Sequence, residues 1–258
     1  MESGEIEEEK MNDTIKMLLE HRSIRAWTDK KIPEEEVQLL FDVAMQTSTS
    51  NGMQQASIIR VNDMKKREAL AKIATQAYLS TPSELLVFVC DNYRNYKIVE
   101  EKGAESNHSN DIDRFIQGVT DASIMAQNVT VAAESMGLGV VYFGSILNDT
   151  AGVCEILNLP ENTFPVVGLG IGYPDQEPQL KPRMHKEDRV FIDEYKTYDS
   201  YVDELKEYDK EMTTYYDLRN ANRRVDSFTD QVVAKNKVKV AKRSEMMDVI
   251  RAQGFDIK

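Results

Sequence analysis

The chain is short of the residues that build metal centres, disulfide frameworks and side-chain nucleophile systems. Its 258 residues include two cysteines, three histidines and one tryptophan. Cys90 closes an apolar, strand-like run and Cys154 lies in a helical pattern, so both read as small buried hydrophobes. His21, His108 and His185 form no His-x-x-x-His or Cys/His spacing, so no protein-bound metal is expected. No apolar run is long enough to span a bilayer. Residues 1–10 (MESGEIEEEK) are polar and acidic with no apolar leader, so a disordered tail on a cytoplasmic chain is expected. Positive charge is also scarce: 32 Lys and Arg against 44 Asp and Glu give a net charge of -12. Such a surface repels nucleic acid and anionic membrane, so neither is an expected partner. An anionic ligand would have to be held by local clusters of cations, which makes those clusters informative.

What the chain does contain reads as a globular fold. Hydrophobic residues make up 41% and charged residues 29%. At this length it can bury a sizeable core. A short amphipathic run, 12–20, leads into His21-Arg22-Ser23-Ile24-Arg25. Two guanidiniums, an imidazole and a hydroxyl within five residues suit a phosphate or another planar anion. The plainer alternative is a solvated helix end whose cations face the negative pole of the helix dipole. Pro33 followed by Glu34, Glu35 and Glu36 marks a helix start, with Pro at the first position. Thr47-Ser48-Thr49-Ser50-Asn51-Gly52 is a hydroxyl-rich turn, 56–61 a strand and 64–77 a helix with Gln76 near its end. Residues 85–90 (LLVFVC) form a buried central strand. Residues 92–112 are polar and read as a mobile excursion.

The longest helical pattern is 113–136. Phe115, Val119, Ala122, Ala126, Val129, Ala133 and Met136 alternate spacings of four and three, a coiled-coil-like seam narrowed by Gly118, Ala122 and Ala126. It is either an ordinary core helix or a helix at a subunit interface. Gly137-Leu138-Gly139 ends it, Val140-Val141-Tyr142-Phe143 is a strand, and Gly144-Ser145 follows. Asn148 and Asp149 can cap a helix running to Leu157. Residues 164–173 (FPVVGLGIGY) form a buried strand whose glycines, 168, 170 and 172, share one face. The stretch lacks a final glycine and a following helix, which excludes a dinucleotide-binding loop. Beyond 195 come Tyr-rich and acidic stretches, then Arg219, Arg223 and Arg224, then a Lys-rich final helix near 229–251. This part has too few apolar residues for a core of its own and reads as an arm that packs on something else.

In sequence order, HRSIR at 21–25, TSTSNGMQQASIIR at 47–60, Gln76, AAESMGLGVVYFGS at 132–145, PVVGLGIGYP at 165–174, KPR at 181–183 and YYDLRNANRR at 215–224 resemble the FMN-dependent nitroreductase family. The closer resemblance is to its NADPH-preferring branch, the major oxygen-insensitive nitroreductases and NADPH-flavin oxidoreductases. It implies an α+β fold: a mixed, largely antiparallel sheet flanked by helices, in an intertwined homodimer with FMN at the interface. Residues 1–10 would be the tail, 11–195 the FMN-binding core and 196–258 an arm on the partner subunit, with the 113–136 seam also facing that partner. By the same resemblance His21, Arg22, Ser23, Lys181 and Arg183 contact the FMN phosphate and ribityl chain. Arg25 faces the N1/O2 edge of the flavin, Ser50 and Gln76 are polar contacts, and Tyr142, Phe143, Gly144 and Ser145 lie along the ring. Arg219 and Arg223 meet the 2′-phosphate of NADPH; their alternative role is to pair with the acidic surface.

The implied activity is ping-pong hydride transfer from NADPH, through bound FMN, to flavins, nitroaromatics, quinones or similar small acceptors. It needs no catalytic side chain, because the cofactor carries the chemistry. A flavin-binding sensor or carrier without turnover, and a purely structural dimer, are the competing classes.

Overall fold

Residues 85–90 are apolar without a break because both faces of their strand are covered. In this computed structural model, which describes residues 11–105, 108, 110–217, 223–224 and 226–257, that strand is the second of a four-stranded sheet. The elements, in chain order, are α1 (Asp13–Leu19), α2 (Glu34–Met45), β1 (Ala56–Arg60), α3 (Met64–Ala74), β2 (Glu84–Asp91), α4 (Tyr93–Glu101), α5 (Ile112–Ser135), β3 (Gly139–Phe143), α6 (Thr150–Leu157) and β4 (Thr163–Gly172). Then come α7 (Tyr201–Glu204), α8 (Lys206–Thr214), β5 (Tyr216–Asp217), β6 (Arg223–Arg224), α9 (Phe228–Lys237) and α10 (Met246–Ala252).

The sheet order is β1-β2-β4-β3, and every neighbouring pair is antiparallel. Its parallel element is a single bridge from Ser23 to Val140 beside β3. Successive side chains of β2 alternate between faces. Leu86 and Phe88 join Leu40 of α2 and Ala122, Ala126 and Val129 of α5. Leu85, Val87 and Val89 join Leu70 and Ala74 of α3 and Val153 and Leu157 of α6. Helices on both faces of an antiparallel sheet make this an α+β fold. The glycine face of β4 is filled from neighbouring segments. A Cβ at Gly170 would lie 2.9 Å from Phe143, and one at Gly172 would lie 2.7 Å from Trp27.

Several elements differ from expectation. The seam of α5 is spent inside its own chain: Ala122, Ala126, Val129 and Ala133 are buried against the sheet, and a Cβ at Gly118 would lie 2.4 Å from Cys90 Sγ. An apolar seam fixes which side of a helix is buried, not what buries it. The polar stretch after β2 is not irregular throughout; it contains α4. Pro33 is the N-cap of α2 rather than its first turn. The expected final helix is two, α9 and α10, separated by 238–245. α3 stops at Ala74 because Thr75 turns left-handed, with φ 54°.

The chain forms two compact units, 11–176 with 240–257, and 177–239. The expected arm from 196 is therefore divided. Its last stretch returns to its own core, where Ile250, Phe255 and Ile257 bury with Cys90 and Phe164. Those three apolar residues supply enough surface to dock the terminus. In the second unit Leu205, Tyr208 and Met212 are buried, and Tyr208 packs on Phe228 with ring centroids 5.4 Å apart. His185 Nε2 meets Glu211 Oε1 at 2.8 Å, and that bond raises the imidazole pKa.

Candidate functional site

The 21–28 segment is held as a partial strand along the open edge of β3. Ile24 N donates to Val140 O at 2.8 Å, Thr28 N to Tyr173 O at 2.9 Å and Asp175 N to Ala26 O at 3.0 Å. Gly139 makes room for Ile24, whose Cγ1 would lie 2.7 Å from a Cβ there. The cations of this segment are thereby fixed beside the strand that ends in Tyr142 and Phe143.

His21 Nδ1 lies 2.6 Å from Glu134 Oε1 on α5. A carboxylate can only accept, so Nδ1 carries the hydrogen and Nε2 is left for a second partner. Arg25 donates through Nη1 to Ser23 O at 3.0 Å, and Arg22 through Nη1 to Glu20 O at 3.4 Å. The Nε of each of these arginines is buried without a hydrogen-bond partner within the protein, as is Oε2 of Glu134. Buried polar atoms are ordinarily satisfied, so these two guanidinium nitrogens are candidates for a partner outside the chain.

At the end of β3 the predicted residues divide. The Tyr142 hydroxyl accepts from Thr130 Oγ1 at 2.7 Å and donates to Gln127 Oε1 at 3.1 Å, and burial raises its pKa. Phe143 is fully buried, 5.7 Å in ring centroid from Tyr78, so its side chain belongs to the core and its backbone alone remains for a ligand. A Cβ at Gly144 would meet nothing within 4 Å, so this position opens to free space. Ser145 Oγ donates to Gln76 Oε1 at 2.7 Å, which leaves the Gln76 amide nitrogen as a donor.

The fold thus sets the 21–25 segment beside Val140 in β3 and ties the turn at the end of that strand to Gln76 through Ser145. Ser50 is anchored elsewhere on α5, its backbone N donating to Asp121 Oδ1 at 2.8 Å. Lys181 and Arg183 lie in the second unit, where Arg183 Nη1 donates to Lys181 O at 2.7 Å. Arg219 lies outside the described residues, and Arg223 is placed by its backbone pairing with Asp217.

Three residues escaped the sequence reading. Glu134 and Asp121 act across 113 and 71 positions, which no local pattern reports. Arg243 donates weakly to Gly144 O and Asn148 Oδ1, both at 3.4 Å, beside an ion pair of Lys242 with Asp149. Nothing in its sequence neighbourhood singles it out. Among the described residues no cluster of three or more His, Cys, Asp or Glu could hold a metal ion. The donor set of two guanidiniums, an imidazole, an amide and a hydroxyl suits a phosphorylated, planar heteroaromatic group with several acceptor edges.

Residues 18–173 match the Nitroreductase family and residues 181–258 match its C-terminal domain. The chain belongs to the nitroreductase family. Among curated members, an NADPH-flavin oxidoreductase of Vibrio harveyi is 38% identical over 87% of this chain and 91% of its own length. An FMN reductase (NADPH) of Bacillus subtilis is 35% identical over 95% of this chain and 99% of its own length. The solved structure of a nitroreductase from Bacillus subtilis superposes with a TM-score of 0.88 at 34% identity, over 95% of this chain and 99% of that one. The nitroreductase match embraces the 21–25 segment, Gln76 and the 142–145 turn in one family region, and leaves 181–183 to the other.

Proposed function

We propose that this nitroreductase-family chain is an FMN-dependent enzyme of the cytoplasm that uses NADPH to reduce flavins, nitroaromatics, quinones or similar small acceptors, and that it works as a homodimer. The observation that carries the reading is the pair of buried guanidinium nitrogens, Arg22 Nε and Arg25 Nε, that have no hydrogen-bond partner within the protein. The named activities of relatives aligned over nearly the whole chain support it.

FMN, when bound, supplies the hydride chemistry of the reaction. The protein's part is to bind, orient and set charge. His21, oriented by Glu134, would hold the phosphate together with Arg22 and Ser23. Arg25 would place positive charge at the N1/O2 edge of the ring, where it favours negative charge. Gln76 would supply a donor through its amide nitrogen and Ser145 an acceptor through its hydroxyl oxygen at the ring or ribityl chain, and the Gly144 backbone would permit close approach. Arg219 and Arg223 would meet the 2′-phosphate of NADPH. Among the described residues no helix is long and apolar enough to cross a membrane.

The test is a visible absorption spectrum of the purified protein under anaerobic conditions. Flavin bands should bleach on adding NADPH and return on adding a nitroaromatic or a quinone. Bands that persist under NADPH would favour a flavin sensor or carrier. A protein that gains no bands when FMN is added would end the reading.

A further inference from the structure

Asp121 lies mid-way along α5 and has none of its surface exposed. A buried carboxylate is costly unless it is hydrogen-bonded, and the neighbouring positions of this helix face, Gly118, Ala122 and Met125, are apolar or small. Its two oxygens accept from two backbone amides: Ser50 N reaches Oδ1 at 2.8 Å and Gln55 N reaches Oδ2 at 3.1 Å. These amides bracket a loop with an unusual backbone. Asn51, Gly52 and Gln54 all have positive φ, at 52°, 70° and 53°. Non-glycine residues hold such conformations at a cost, and only where their surroundings over-determine them. The far side of the loop is tied to α4, where Asn95 Nδ2 donates to Met53 O at 3.0 Å and the Arg94 guanidinium donates to Gln54 O.

We infer that Asp121 is a positioning residue, a carboxylate that clamps both ends of the 50–55 loop so that Ser50 meets the flavin in one fixed conformation. The inference rests on the reading of Ser50 as a cofactor contact. The strained loop and the buried charge are then one device. The charge recovers its burial cost through two amide bonds, and the bonds hold a backbone that would otherwise relax.

The experiment titrates apoprotein with FMN and follows the quenching of flavin fluorescence. Asp121→Asn keeps one acceptor oxygen but sets an NH₂ against the other amide. The FMN dissociation constant should rise on the order of tenfold. Arg67→Met is the control for general destabilisation. Arg67 is buried and its bonds go to Val61 O, Pro82 O and Ser83 O, away from the loop, so FMN affinity should be unchanged. Gln54→Gly, which removes the cost of positive φ, should restore most of the affinity when added to Asp121→Asn. An Asp121→Asn affinity equal to that of the unsubstituted protein, or no rescue by Gln54→Gly, would overturn the proposal and leave the cofactor reading intact. An unsubstituted protein that binds no FMN would bring down both. Where Asp121→Asn does not fold, hydrogen exchange on the unsubstituted protein decides. Ser50 and Gln55 amides should exchange slowly with and without FMN; protection that appears only with FMN would mean that the cofactor orders the loop and Asp121 does not.

Discussion

The contact between His21 and Glu134 shows how a single side chain is turned into part of a binding site. The imidazole is partly exposed, with 30% of its side chain accessible, while its carboxylate partner is at 11%. A rotating imidazole would present either nitrogen to a ligand, and the bond at Nδ1 removes that choice. Glu134→Gln keeps an acceptor at the same place but removes the charge, whereas Glu134→Ala removes both. Hydrogen bonds to charged groups contribute about 1.5–3 kcal/mol, so the alanine variant should raise the FMN dissociation constant by roughly ten- to a hundredfold, and the glutamine variant by less. Fluorescence titration of apoprotein gives both values; two unchanged constants would remove Glu134 from the site. The cysteines do no comparable work. Burial lifts the Cys154 thiol to about 11 and pushes Cys90 further still, so neither supplies a thiolate near neutral pH.

At the scale of elements, legibility followed burial. β2 and β4 could be read because two covered faces demand an unbroken apolar run, and α6 because Asp149 caps it, accepting from Gly152 N at 3.1 Å. The cation cluster at 21–25 stood out because charge concentrated on an acidic chain needs a reason; its bonding along β3 did not. α4 was not read: Tyr93, Tyr96 and Val99 do share one side, but the helix is short and buries no residue. Nor could the direction of the α5 seam be read, since small residues serve a sheet and a partner equally well. The return of the C-terminus was missed for a related reason: Phe255 and Ile257 are too few to form a pattern, yet each is buried. Phe255 packs edge-on against Phe115 with centroids 4.9 Å apart, in the same cluster as Phe164 and Cys90. Phe255→Ala should therefore cost about 3–5 kcal/mol in urea unfolding. A cost below about 1 kcal/mol would mean that the terminus is only loosely docked.

For the whole molecule, the inward seam means that the proposed homodimer would have to use another surface. α1 and α2 both pack on α5. Their outward sides carry Leu19, Leu39 and Met45, and α5 itself carries Ile116 and Ile124, all exposed. Single exposed apolar residues are ordinary, but several on packed helices would suit the proposed association. Sedimentation should thus give a mass about twice the 29.5 kDa of one chain. Ile116 is 56% exposed, so replacing it by Glu removes little from the fold of the single chain. In an interface the same carboxylate would be desolvated without a partner, which is strongly unfavourable. Ile116→Glu should therefore shift the sedimenting species towards the single-chain mass while far-UV circular dichroism is unchanged, and FMN retention should fall with it if the site needs both copies. A dimer that survives this substitution would place the interface on a different face. A single-chain species that still holds FMN tightly would mean that one chain completes the site alone.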